Sequence, residues 1–203
     1  MTTRQSSLTR DRPIVRGRAA LLVIDVQNAN TAEGYQREAV IGRIRGLIDR
    51  AKSEGAPVLW VQHHAGGSPL ERGTDGWQIV EEVRPGEGET VIEKQYLDSF
   101  VETGLRAELD RLGVGHLVLC GAATDACIRS TAQRSQIEGY NVTLVADGHT
   151  TDVGPWPLPL PDGTEIPIGA EQMIAYTNFF VADTVYPGIT TAVINHDEVE
   201  FNV

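Results

Sequence analysis

The run Ala19-Ala-Leu-Leu-Val-Ile24, closed by Asp25, constrains this chain more than any other feature. Six consecutive apolar residues offer no face to water, so the segment reads as a strand covered on both sides. Such strands belong to parallel sheets, and parallel strands need long crossovers, usually helices. The rest of the chain supplies them. Val40, Ile41, Ile44, Leu47, Ile48 and Ala51 share one helical face, and Gly55 and Pro57 punctuate its end. Val58–Val61 reads as a second strand, 66–76 as a loop and Thr90–Ile92 as a third strand. Leu105, Leu109 and Leu112 mark a helix that Gly113 stops. His116–Cys120 is a fourth strand, a helix runs from about Asp125 to Glu138, and Asn141–Ala146 is a fifth strand. Residues 153–169 crowd Pro and Gly and read as a loop, with Pro155–Pro161 a stiff lid or interface segment rather than an SH3 ligand. A helix over Ala170–Phe180 and a short strand at Ala192–Ile194 follow. The alternation predicts a three-layer α/β/α fold with a mainly parallel, roughly six-stranded Rossmann-like sheet. Residues 1–18 read as a flexible arm and residues 19–203 as a single domain.

Composition narrows the function. With 28 acidic against 17 basic side chains, the net charge of −11 repels phosphate backbones and speaks against nucleic acid as a partner. No apolar run approaches the ~20 residues that a membrane span needs, so no membrane partner is expected. The first 18 residues lack the apolar core of a secretory signal, and the two cysteines, Cys120 and Cys127, form no CxxC pair. A reduced, cytoplasmic chain is expected.

Ligands of open parallel sheets bind beyond the carboxyl ends of the strands, so the residues there carry the functional reading. The first strand is followed by Asp25, Gln27 and Asn28, the third by Glu93 and Lys94, and the fourth by Gly121-Ala-Ala-Thr-Asp-Ala-Cys127. Separate segments thus bring a carboxylate, an ammonium and a thiol to one rim. Cys127 falls in the first turn of a helix, where the partial positive charge of the helix terminus favours thiolate, and Lys94 adds to that effect. The bland alternative for Cys127 is a small buried helix residue, and for Cys120 that alternative wins. Asp25 reads either as a strand-end cap or as a buried acid that takes a proton from the thiol and returns it to a leaving amine. Glu93 and Lys94 point to opposite faces of their strand, and the pattern leaves open which one faces the site. The small side chains after Gly121 let a carbonyl approach the backbone, so N–H groups near Ala123 and Cys127 are placed for an oxyanion. His63 and His64 face opposite ways and make a poor chelating pair, and Gln62 stands where a carboxylate ligand would be wanted, so no metal is expected. Asp147 and His149 read as braces of the rim. Trp77, Tyr96, Phe100 and Trp156 are candidates for the pocket wall, and Gln27 and Asn28 for polar contacts to substrate.

These segments together resemble the isochorismatase-like cysteine hydrolases, the family of nicotinamidases, N-carbamoylsarcosine amidohydrolase and ureidoacrylate amidohydrolase. The resemblance rests on Leu22-Val-Ile-Asp25-Val-Gln27, on Glu93-Lys94 with Asp98-Ser-Phe100, and on Gly121-Ala-Ala-Thr-Asp-Ala-Cys127-Ile-Arg-Ser-Thr131. It implies a triad of Asp25, Lys94 and Cys127, with Lys94 rather than Glu93 facing the site. It implies a cis peptide at Ala122–Ala123, an oxyanion held by the N–H groups of Ala123 and Cys127, and hydrolysis of a small-molecule amide, ureide or cyclic amide through a thioester. Nicotinamidases carry Asp-x-His…His after the second strand, and this chain does not, so the resemblance implies neither a metal nor another cofactor. Pro69-Leu-Glu-Arg-Gly-Thr-Asp-Gly-Trp77 is similar to members of the streptothricin hydrolase type, which open a lactam. A homodimer or homotetramer is implied, with the tail from Val181 to Val203 against a neighbour. Two readings from other classes use the same features: a thiol redox sensor, and a silent small-molecule binder.

Overall fold

The computed structural model describes residues 17–202, so the arm expected over residues 1–18 lies almost wholly outside the described residues. Among the described residues eight strands form: β1 (Ala19–Ile24), β2 (Val58–His63), β3 (Thr90–Lys94), β4 (His116–Ala122), β5 (Asn141–Thr150), β6 (Trp156–Pro159), β7 (Glu165–Ile168) and β8 (Thr191–Ile194). Six of them make one parallel sheet in the order β3-β2-β1-β4-β5-β8, and β6 pairs with β7 apart from it. The helices are α1 (Asn28–Thr31), α2 (Arg37–Ser53), α3 (Leu105–Leu112), α4 (Arg129–Ile137) and α5 (Ala170–Asp183).

The strand that anchors the sequence reading is also the centre of the sheet. Every residue of β1 is at most 1% exposed. Its alternate side chains divide between two cores, as a strand's period of two requires. Ala19, Leu21 and Val23 meet Val40, Ile44 and Leu47 of α2. Ala20, Leu22 and Ile24 meet Leu105 and Leu109 of α3, Ala132 of α4 and Val181 of α5. That division is what makes three layers from one apolar run. Each Val, Leu or Ile among them taken from water contributes about 1.5–3 kcal/mol.

The strand order reverses its direction of growth between β1 and β4, which opens a crevice at their carboxyl ends. Gly121 allows the two strands to close there. Its φ is +130°, and a Cβ at that position would lie 2.0 Å from the Ile24 carbonyl oxygen. Only glycine fits so close to a neighbouring backbone.

One expectation is corrected. The segment 153–169 is not simply a loop, because β6 and β7 pair antiparallel across it. Its prolines do not forbid the ribbon. Trp156↔Ile168 and Leu158↔Ile166 alternate with Pro157↔Pro167 and Pro159↔Glu165, and the next rung carries the Leu160 N–H to Thr164 O bond. Alternate pairs of an antiparallel ladder exchange no N–H···O bonds, and Pro157, Pro159 and Pro167 fall on those pairs. The segment after Val181 also packs on its own chain. β8 joins the sheet, Val199 and Phe201 are 2% and 4% exposed, and Arg50 donates to the carbonyls of His196 and Val199, each at 2.9 Å. Among the described residues, no helix is long and apolar enough to cross a membrane.

Candidate active site

The carboxyl ends of β1, β3 and β4 deliver Asp25, Lys94 and Cys127 to one point. Lys94 Nζ lies 2.6 Å from Asp25 Oδ2 and 3.1 Å from Cys127 Sγ. The topology explains why a lysine serves. β3 is separated from β1 by β2, so the side chain must cross a strand spacing or more of about 4.8 Å each, which only a long side chain can do. It passes over His63, its register partner on β2, and stands 3.3 Å from His63 Nδ1. The Tyr96 carbonyl completes its partners at 2.9 Å. Glu93 turns the other way, to the surface, where it pairs with Arg72 at 2.6 Å.

Asp25 is fully buried and holds a left-handed backbone with φ of 49°. Such a conformation is uncommon for a residue other than glycine and marks a position fixed by its surroundings. Burial raises its carboxyl above the ordinary range, although Lys94 and the Cys127 thiol both pull it down. The Asn30 amide donates to the Asp25 carbonyl at 3.3 Å.

Cys127 sits in a wide turn, residues 124–128, that leads into α4. The Ala123 carbonyl accepts the N–H groups of both Ala126 and Ile128, which winds the turn, and the Ala122–Ala123 peptide bond is cis. The helix-terminal charge and Lys94 are not the strongest influences on the Cys127 thiol. Burial first, and the Asp25 carboxylate second, push the Cys127 thiol up to about 12, and Lys94 only partly opposes them. The Cys127 sulfur thus lies beside an acid that burial makes a better base.

The other expected residues separate into those at the rim and those committed elsewhere. Gln27 is fully buried, and its amide donates to the carbonyls of His63 and Trp77 while accepting the His63 N–H. Both ends of that side chain are spent on bracing β2 and the 66–77 loop, which corrects its reading as a substrate contact. Phe100 is 8% exposed and packs on Tyr140 in the core, so it is no pocket wall. Asn28 donates to the Asp75 carbonyl and pins the same loop. Trp77 is partly buried beside Gln27, and Tyr96 is 47% exposed at the rim. Trp156 stands on the ribbon with its ring against Gly154.

His63 and His64 do not converge. His63 faces Lys94 with its ring pushed down to about 4, chiefly by burial, whereas His64 Nε2 faces Arg72 at 2.6 Å. No group of three or more metal-ligating side chains occurs among the described residues. Asp147 binds Arg43 and His196, and His149 reaches the Cys127 turn through Thr124. Sequence reasoning missed His63 as the neighbour of Lys94, and Thr124 and Asn178 as partners of His149. The two-residue spacing from Lys94 to Tyr96 offered no signal for its carbonyl, because backbone groups carry no residue-specific pattern.

The chain matches the isochorismatase domain over residues 19–152. It is 40% identical over 136 residues to streptothricin hydrolase of Streptomyces noursei, across 65% of this chain and 49% of that protein. A second streptothricin hydrolase of that organism matches over 56% of its length, so the chain spans about half of these relatives. The uncharacterized isochorismatase family protein YddQ of Bacillus subtilis is 37% identical over 139 residues, 65% of this chain and 77% of that one. The crystal structure of an isochorismatase from Pseudomonas putida KT2440 superposes with a TM-score of 0.77 at 27% identity, covering 94% of each chain. A domain match that runs from β1 to just past β5, on a backbone shared over nearly its whole length, leaves one assignment: the chain belongs to the isochorismatase family.

Proposed function

We propose that this protein is a metal-independent cysteine amidohydrolase that cleaves a C–N bond of a small amide, ureide or cyclic amide. The observation that carries the reading is the buried contact of Lys94 Nζ with Asp25 Oδ2 at 2.6 Å and Cys127 Sγ at 3.1 Å. Asp25 takes the thiol proton as Cys127 sulfur attacks the amide carbon. Because the thiol is pushed up to about 12, this transfer must accompany attack, and the raised carboxyl of Asp25 suits it to the task. Lys94 holds the carboxylate and the developing thiolate in register. The N–H groups of Ala123 and Cys127 receive the oxyanion. Collapse breaks the C–N bond, and the amine leaves with the proton from Asp25. Asp25 then takes a proton from water, the resulting hydroxide attacks the thioester, and Cys127 recovers its proton as the acid departs.

Substrate choice falls to the rim, with Trp77, Tyr96, Asn28 and Trp156 as the side chains that vary the pocket. The streptothricin hydrolase relatives favour lactam opening as one form of this chemistry. The chain works in the cytoplasm as a homodimer or homotetramer, a state that light scattering measures directly. The test of the reaction is a screen of primary amides, ureides, carbamoyl amino acids and lactams, read by ammonia release or by mass gain of one water. Turnover that vanishes in Cys127→Ala supports the reading. A silent screen with the native protein, or turnover that survives Cys127→Ala, sinks it.

A further inference from the structure

The buried polar chain behind the Cys127 turn belongs to no step above. β5 slips register against β4 between Leu119 and Gly121, so His149 pairs opposite Gly121 near the end of β4, just before the turn. A bulge of this kind re-aims a side chain, and here it turns His149 into the protein. His149 is 1% exposed, and its Nδ1 lies 2.9 Å from Thr124 Oγ1, three residues before Cys127. Its Nε2 lies 2.9 Å from Asn178 Oδ1 on α5. The Asn178 amide nitrogen donates to the Ala146 carbonyl at 3.0 Å, so its oxygen is the atom that faces the ring. A carbonyl oxygen only accepts, hence Nε2 carries the proton. Burial pushes the ring down to about 4, so it is neutral, Nδ1 is bare, and the Thr124 hydroxyl donates to it. Every member of the chain therefore has one direction, set at its far end by the Ala146 carbonyl.

We propose that His149 is a positioning residue for Cys127, locked in one tautomer by Asn178 and acting through Thr124 to hold the sulfur beside Lys94. The turn it grips has a wide winding, and Thr124 is fully buried at its first position. An unheld turn would let Sγ drift from the ammonium that stabilises its anion. The inference rests on the role proposed for Cys127.

The test is alkylation of Cys127 by iodoacetamide in the full chain, resolved from Cys120 by peptide mass spectrometry and followed across pH. Thr124→Val removes the hydroxyl at nearly constant volume, Thr124→Ser keeps it, and Asn178→Ala releases the tautomer lock from α5 without touching the turn. Thr124→Val is expected to slow alkylation near neutral pH by about tenfold or more, since small misplacements of a reacting group are costly. Labelling of Cys120 in the same samples is expected to stay at its native rate, because only the Cys127 turn is disturbed. Asn178→Ala slows Cys127 labelling in the same direction, and Thr124→Ser stays within about threefold of the native rate. A merely structural role lowers the melting temperature and speeds labelling of both buried cysteines. Native Cys127 rates in both Thr124→Val and Asn178→Ala, or damage in Thr124→Ser equal to that in Thr124→Val, overturns the proposal. Native Cys127 that resists iodoacetamide at every pH removes this inference and the role of Cys127 together.

Discussion

The interior of β4 and the turn that leaves it each carry a cysteine, and the two thiols are buried to almost the same degree. Cys120 is 0% exposed and Cys127 is 6% exposed. Burial raises both thiols, that of Cys120 far above its usual range and that of Cys127 to about 12. What differs is the company. The Cys120 sulfur has the Leu22 carbonyl at 3.6 Å, a dipole that accepts a weak hydrogen bond but takes no proton. Cys127 has a carboxylate to receive its proton and an ammonium to hold what remains. Burial therefore does not separate the two thiols. A proton acceptor and a cation at the strand end do, and both are present only where separate strands terminate together.

The comparison breaks most visibly at the sulfur itself. Cys127→Ala is expected to lower turnover of any amide found in the screen by about 10³-fold or more. Gly121→Ala attacks the junction between the two regions. With φ at +130° and the Ile24 carbonyl 2.0 Å from the added Cβ, it is expected to cost about 3 kcal/mol or more in urea unfolding. An unchanged midpoint would mean that β1 and β4 approach less closely than described.

A third effect lies behind the turn. His149 has a folded value of about 4 against about 6.5 when unfolded. Between those values the unfolded chain binds a proton that the folded chain does not, so stability rises with pH across this window. The contribution is complete above about pH 6.5 and is lost as pH falls toward 4, a difference of about 3 kcal/mol. Urea unfolding near the two ends of the window, for the native chain and His149→Gln, isolates it from Asp25, whose raised carboxyl acts with the opposite sign. Equal pH dependence in the two proteins would refute a neutral buried ring. The smallest effect is expected at the other thiol. Cys120→Ala leaves turnover unchanged and costs about 1–2 kcal/mol of stability. Loss of activity there would reverse the contrast between the two cysteines.

Most of the sheet was legible because its strands are buried on both faces and need unbroken apolar runs, as in Ala19–Ile24 and His116–Cys120. The ribbon of β6 and β7 was not, because its prolines mask a ladder that depends on which rungs carry hydrogen bonds. The turn signal Pro161-Asp-Gly163 was visible all the same. At the site, side chains with distinctive chemistry at strand ends could be read in advance, and family resemblance chose Lys94 over Glu93. The state of the Cys127 thiol could not, since it depends on burial and on a carboxylate more than 100 residues away in sequence. Gln27 misled for a related reason. A glutamine beside Asp25 reads as a substrate contact until the His63 and Trp77 carbonyls are seen to occupy it.

Asp25→Asn tests the central claim most directly, because it moves the two readouts of one sulfur in opposite directions. The carboxylate both raises the thiol and serves as its base. Its neutral replacement is expected to leave iodoacetamide labelling of Cys127 as fast as in the native chain or faster, while amide turnover falls by about 10²-fold or more. Turnover that persists in this variant would contradict the account, as would labelling and turnover that decline together in a protein that remains folded.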